Sequence, residues 1–204
     1  MEKISRLISV MFSPLLVPTY AMVLTLIWTI LFIVSTNTKL GVLAMTASIT
    51  CLFPLLAIIL LYKLKVISEP GLNNRKERFI PYAVTLVSYI GFAFYLSKIH
   101  SPLWLVSFPC GASLAVVISF LVNLKWKISA HGAAVGGLAG YIFCLIYFQL
   151  FIIHSSIYYL YAAILIAGLV GTSRVILKRH TVPQVIAGTI NGFICVVLSI
   201  FLFH

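Results

Sequence analysis

The twelve residues SRVILKRHTVPQ, Ser173 to Gln184, interrupt an otherwise apolar C-terminal third of the chain. Before them lies an apolar run from about Ile157 to Val175, and after them another runs from Val182 to Phe203. Thr181 suits an N-cap and Pro183 a first helical turn, so one helix ends and the next begins within this stretch. The His180 ring is thereby set beside backbone N–H groups that lack an intrahelical acceptor, surroundings that favour a bound anion. Gln184 follows one turn later on the same side. Polarity of this kind is costly between two apolar helices, and its default reading is functional.

Working outward, the whole chain shares the apolar character of the flanks. Of its 204 residues 62% are hydrophobic and 8% charged, with a mean hydropathy of +1.16. A soluble domain of this length cannot bury so much apolar surface, so the fold class expected is all-α: a polytopic membrane helix bundle. About seven spans are legible, near 8–34, 41–62, 80–96, 103–122, 130–153, 157–175 and 182–203. The first carries Pro14 and Pro18, which kink it or mark an interfacial half-turn. Its apolar run is too long for a secretory signal and lacks a small-residue cleavage site. Residues 1–204 read as one integral-membrane unit, with segments 63–79, 123–131 and 173–184 carrying the polarity.

Cys51, Cys110, Cys144 and Cys195 fall in separate apolar runs without metal-ligand spacing and read as small apolar fillers. No cluster suited to a metal is seen, and no cofactor is expected. Gly132, Gly136 and Gly140, with Gly188 and Gly192, recur every four residues, a spacing that lets helices of one bundle approach closely.

The net charge of +11 lies beside the spans, which points to lipid phosphates and topology and away from nucleic acid. Because successive spans alternate direction, Lys3, Arg6, Lys63, Lys65, Arg75, Lys76, Arg78, Lys125, Lys127, Arg174, Lys178 and Arg179 all fall on the N-terminal side. These are twelve of the fourteen bases; Lys39 and Lys98 lie opposite. The positive-inside rule then puts the N-terminus and all the polar segments in the cytoplasm. His100, His154 and His204 fall on the far face, and Trp104 and Trp126 read as headgroup-level anchors.

Three polar clusters share the basic side. The first is Asn73-Asn74-Arg75-Lys76-Glu77-Arg78, before Pro81, where Arg75 and Arg78 share a helical face and Lys76 adds charge. The second is Lys127-Ile128-Ser129-Ala130-His131, where Ser129 suits a helix cap. The third is the opening stretch. In order and spacing they resemble the type 2 phosphatidic acid phosphatase superfamily, metal-independent lipid phosphatases of the membrane. The third signature of that family is Ser-Arg-x5-His-x3-Asp, and Ser173, Arg174 and His180 match it, with Gln184 in place of the Asp. Its second, Pro-Ser-Gly-His, is matched at Ser129 and His131. Its first, Lys-x6-Arg-Pro, is replaced by the Arg-x2-Arg-x2-Pro form of Arg75, Arg78 and Pro81.

The resemblance implies a six-helix phosphatase-like core plus one helix, in a bacterial inner membrane. It implies hydrolysis of a lipid phosphate or diphosphate: phosphatidic acid, phosphatidylglycerol phosphate or a polyprenyl diphosphate. His180 would be the nucleophile forming a phosphohistidine, and His131 the acid and base. Arg174, Arg75, Arg78, Lys76 and Ser129 would hold the phosphoryl group, and Ser173, Gln184 and Glu77 would support it. The chain has no aspartate, and its only acids are Glu2, Glu69 and Glu77. Gln184 can fix a tautomer but not offset a charge, so Glu69 or Glu77 would have to supply any carboxylate. The alternative is a weakly active or inactive relative that binds or carries phospholipid. The enzyme reading requires His131, His180, Arg174 and at least one of Arg75 or Arg78 to meet around a common anion position.

Overall fold

The computed structural model describes residues 1–69, 71, 74–153 and 155–203. Asn73, His154 and His204, included in the expectations above, lie outside these. Among the described residues the regular structure is helical, apart from one isolated bridge between Thr29 and Phe151.

The N-terminal region departs from the single first span expected, and the count of seven is not confirmed. In place of one helix over 8–34 there are two short ones, α1 (Glu2–Met11) and α2 (Val17–Trp28), followed by a 3-10 turn, Ile30–Ile33. Pro14 and Pro18 account for the break: Pro14 lies in the turn between the helices and Pro18 opens α2, where a missing N–H costs nothing. At 12 residues α2 is too short to cross alone. The Pro14 carbonyl already accepts a hydrogen bond from Tyr89, halfway along α5, so α2 covers only the far half of the bundle.

The remaining helices are α3 (Thr36–Ala47), α4 (Phe53–Lys63), α5 (Phe79–Lys98), α6 (Leu103–Asn123), α7 (Ala130–Tyr147), α8 (Ile157–Ile176) and α9 (Val182–Phe203). A π turn at Ser48–Leu52 joins α3 and α4 into one segment, Thr36–Lys63. It starts earlier than the apolar run because the Ser35 hydroxyl caps it, accepting from the Thr38 N–H at 3.3 Å. Among the described residues, six helical segments are long and apolar enough to cross a membrane, which makes the chain a polytopic helical membrane protein.

The fifth span also ends sooner than the apolar run suggests. After Tyr147 the chain turns through Gln149 at a positive φ, and residues 150–152 pair with 28–30 beyond α2. These bonds satisfy backbone groups that the two broken helices leave open. At the same end Trp104 is buried, 7% exposed, among the core residues of α5, α6 and α7. It is therefore a packing residue and not the headgroup anchor expected of it; Trp126, at 40%, does face outward.

The centre of the bundle is the pair α7 and α9. A Cβ on Gly132 would stand 2.8 Å from the Val185 carbonyl oxygen, and one on Gly140 2.8 Å from that of Phe193. On Gly136, Gly188 and Gly192 it would collide with the carbonyls of Thr189, Ser129 and Ala133. Only glycine permits so close an approach of two backbones. The glycines interleave along both helices, so they fix register as well as distance: 129 and 133 lie against 188 and 192, with both chains running the same way. Polar cross-links join neighbours to this pair. Asn191 donates to the Ala115 carbonyl at 2.9 Å and to Ser119 at 3.0 Å, and Thr25 and Tyr141 share a 2.6 Å bond. Such bonds contribute about 0.6 kcal/mol each in a membrane interior.

Candidate active site

The shared register of α7 and α9 sets their N-termini side by side. The Ser129 N–H donates to the Gln184 carbonyl at 3.2 Å, joining the start of α7 to the first turn of α9. Ser129 is the N-cap of α7, its hydroxyl accepting from the Gly132 N–H at 3.1 Å, and His131 follows two residues later. Arg78 precedes α5, buried at 6% exposure, and donates from Nη1 to the Ile128 carbonyl at 3.1 Å. Arg174 lies in the last turn of α8, also buried.

These four side chains meet at one end of the bundle. A cavity of about 400 Å³ is lined by Arg78, His131, Arg174 and His180 on one wall. The rest of its lining is mostly apolar, with Pro14 and Leu15 before α2, Leu55, Ile58 and Ile59 of α4 and Pro81 and Tyr82 of α5, interrupted by Ser9, Ser13 and Thr85. No aspartate or glutamate is among its described lining residues. The Arg174 Nε is buried without a hydrogen-bond partner among the described residues. A buried cationic nitrogen in that state calls for an acceptor from outside the protein.

His180 sits in the link from α8 to α9. Its Nδ1 is 3.1 Å from Gln184 Oε1, which also lies 3.2 Å from the Thr181 backbone N. A backbone N–H can only donate, so the shared Gln184 atom is the amide oxygen, and His180 Nδ1 must carry the proton. Nε2 then keeps its lone pair. The Gln184-to-Thr181 bond is also the returning half of a capping box at the start of α9. Burial, then the charges of Arg78 and Arg174, push the His180 pKa down to about 3, against the pull of the Gln184 hydrogen bond; Lys127 adds to the depression. The ring is therefore neutral at physiological pH. Lys127 is itself lowered, by burial first and then by Arg78, Arg174 and Arg179, a sign of how much uncompensated positive charge gathers here.

His131 has a different partner. Its Nε2 lies 3.1 Å from the Ser9 carbonyl oxygen and 3.3 Å from the Ser9 hydroxyl. Arg174 Nη1 donates to the same hydroxyl at 2.8 Å. Ser9, on α1, was invisible to motif reading. The signal for it is periodic: Ser5 and Ser9, four apart, are buried, whereas Ile4, Leu7 and Met11 are exposed.

Other residues of the motifs are held elsewhere. The Arg75 carbonyl accepts from Asn123 at 3.0 Å, and neither Arg75 nor the exposed Lys76 lines the cavity. Ser129 is fully buried and occupied as a cap, and Ser173 donates to the Leu169 carbonyl at 2.8 Å. Glu77 does not reach His180: its carboxylate accepts from the Ser68 N–H at 2.7 Å and from Asn74 at 2.9 Å, tying the 63–79 loop together. Glu69 pairs with Arg179 at 3.9 Å near the surface. Neither acid stands behind His180, where Gln184 alone makes the contact. Among the described residues no group of three or more His, Cys, Asp or Glu is gathered to hold a metal ion.

Comparison of the chain with protein-family models, with curated proteins and with solved structures returns no match.

Proposed function

We propose that this protein is a divergent lipid phosphatase of the type 2 phosphatidic acid phosphatase kind, hydrolysing a phosphate ester or diphosphate of a membrane lipid. The observation that carries the reading is the meeting of two imidazoles and two buried guanidiniums in a cavity whose remaining lining is mostly apolar. A phosphoryl group satisfies the cations, and a lipid chain satisfies the walls.

In this reading His180 Nε2 attacks phosphorus while Nδ1–H stays bonded to Gln184. The P–O bond to the lipid breaks, and the leaving oxygen takes a proton from protonated His131. Neutral His131 then removes a proton from water, whose oxygen attacks phosphorus and breaks the P–N bond. Inorganic phosphate is released and His180 returns to its neutral form. Arg78 and Arg174 hold the equatorial oxygens throughout. Arg75, Lys76 and Ser129 are not needed as direct ligands. The excess of bases at the site end supports a cytoplasmic site, and a glycerolipid phosphate suits that leaflet.

The test is phosphate release by purified protein from vesicles carrying phosphatidic acid, phosphatidylglycerol phosphate or a polyprenyl diphosphate. Release from at least one, lost by more than about 10³-fold in both His180→Ala and His131→Ala, supports the enzyme. A second reading, a phospholipid-binding protein without turnover, is favoured by one feature: Gln184 contributes no negative charge to a phosphohistidine cation. Saturable binding of these lipids with no release from any of them would establish it and overturn the first.

A further inference from the structure

The contacts of Ser9 have the form of a ligand's. One oxygen accepts from Arg174 and another from His131, the two donors a phosphoryl group would need. Both donors are thereby occupied by the protein's own chain. Ser9 also stands between two spaces. On one side is the apolar cavity described above; on the other is a second cavity of about 530 Å³, lined by Glu2 and Arg6 of α1, by Arg174 and by Lys178 and Arg179 of the link. Ser9, Val10, Gly71 and Arg174 line both, so the hydrogen bond from Arg174 to Ser9 lies on the boundary the two cavities share.

α1 packs chiefly on α8. It turns Ser5 and Ser9 inward and exposes Ile4, Leu7, Val10 and Met11. Ile4, Leu7 and Met11 take no part in the core, and Val10 borders both cavities. The turn through Ser13 and Pro14 breaks helical continuity with α2, and displacement of α1 has to give up the packing of Ile8 and Phe12 on the core and the 2.8 Å bond from the Tyr20 hydroxyl to the Met11 carbonyl. The inner face of α1 sets Ser5 and Ser9 beside Ile8 and Phe12, which pack against the core, and of these Ser9 answers to the polar site.

We infer that α1 is a lid in which Ser9 holds the place of the phosphoryl group of a phosphomonoester lipid, and that substrate opens the lid by displacing Ser9 from Arg174 and His131. The inference rests on the phosphate-ester reading above. Displacement joins the two cavities, so the lipid stays on the apolar side while freed phosphate leaves through the charged one.

The test uses the full chain with Ser9→Cys, with Cys51 and Cys110 changed to alanine; Cys144 and Cys195 are buried. The rate of labelling by an uncharged, water-soluble maleimide is measured in phosphatidylcholine vesicles, alone, with phosphatidic acid, with the diester phosphatidylglycerol, and with inorganic phosphate in solution. The same background with Ser9 intact supplies the blank. Phosphatidic acid should speed labelling about tenfold and the diester should not, the loss of one charge-assisted hydrogen bond being worth about that factor. Acceleration by inorganic phosphate alone would mean that the phosphoryl group suffices without its lipid. Ser9→Ala, which removes the hydroxyl that accepts from Arg174, gives a second measurement, with an apparent KM for phosphatidic acid lowered about tenfold; a KM unchanged or raised overturns the lid.

Labelling that rises while wild-type protein releases no phosphate keeps the lid and overturns hydrolysis. Release without any change in labelling overturns the lid and keeps hydrolysis. Labelling slowed by phosphatidic acid, or equally fast with the diester, overturns the lid as well.

Discussion

Replacing Gln184 by glutamate alters one atom's charge at the point where the proposed chemistry is weakest. The side chain keeps its length, so an oxygen remains 3.1 Å from His180 Nδ1 and 3.2 Å from the Thr181 N–H. At an effective dielectric of about 20, opposite unit charges about 4 Å apart attract by about 4 kcal/mol. Desolvation of the new carboxylate cancels part of this, and a carboxylate beside a charged partner shifts a pKa by about 1–3 units in practice. Arg78, Arg174 and Lys127 nearby, and the N-terminus of α9, favour the added anion. The His180 pKa should climb from about 3 to about 4–6, leaving the ring neutral and nucleophilic at pH 7. The phosphohistidine cation, however, is stabilised by about 1.4–4 kcal/mol, which raises kcat by about 10- to 1,000-fold where its formation limits the rate. Gln184→Leu should move the other way, its loss bounded by the about 10⁴-fold effect of losing tautomer control in a serine protease. The assay is phosphate release from phosphatidic acid vesicles, with thermal unfolding to show that each variant is folded. A folded Gln184→Glu protein whose single-turnover rate of phosphohistidine formation is unchanged or reduced would refute the assignment of His180 as nucleophile.

Three further outcomes follow from the same geometry. Because His180 is held near 3, protonation of the nucleophile should not limit wild-type kcat/KM between pH 8 and 5; the acid limb should lie below pH 5 and move upward in Gln184→Glu, as a pH–rate profile would show. Arg174→Lys keeps a charge but loses the planar fork, and should cost about 10- to 100-fold in kcat/KM on the same lipid assay while leaving the unfolding temperature close to wild type. Gly136→Ala or Gly192→Ala drives a methyl into the facing backbone of α9 or α7 and should destabilise the bundle by about 1–3 kcal/mol, whereas Gly168→Ala, with nothing within 4 Å, should be neutral or slightly stabilising; thermal unfolding in detergent separates them.

Composition alone was enough for the class: with so much apolar surface and so few charges, helices in a bilayer are the one economical arrangement. Later helix starts were legible too, because Ser129 and the Thr181–Gln184 pair are local capping signals whose partners lie within one turn. Helix parity brought three distant clusters to one side, and Arg78, His131, Arg174 and His180 do share a cavity. The N-terminal span was misread because apolar runs report length and not continuity; two prolines and the pairing of 28–30 with 150–152 divide it. Trp104 was misplaced since position near a helix end does not say which way a side chain turns.

What the residues could not disclose by themselves is who touches whom across the bundle. Sequence presented Arg75 and Arg78 as equals, yet only Arg78 reaches the cavity, because the 3-10 turn and the Asn123 contact hold the Arg75 backbone elsewhere. It offered Glu69 and Glu77 as rescuers of His180, and both are engaged at the rim. Its motifs did not single out Ser9, 122 positions from His131, and the spacing of Ser5 and Ser9 marks a helix face without naming a partner. Capping and hydropathy are short-range and can be read from neighbours along the chain. Partners at a site are selected by register between helices, here fixed by glycines that let α7 and α9 touch, and that register exists only once the chain is packed.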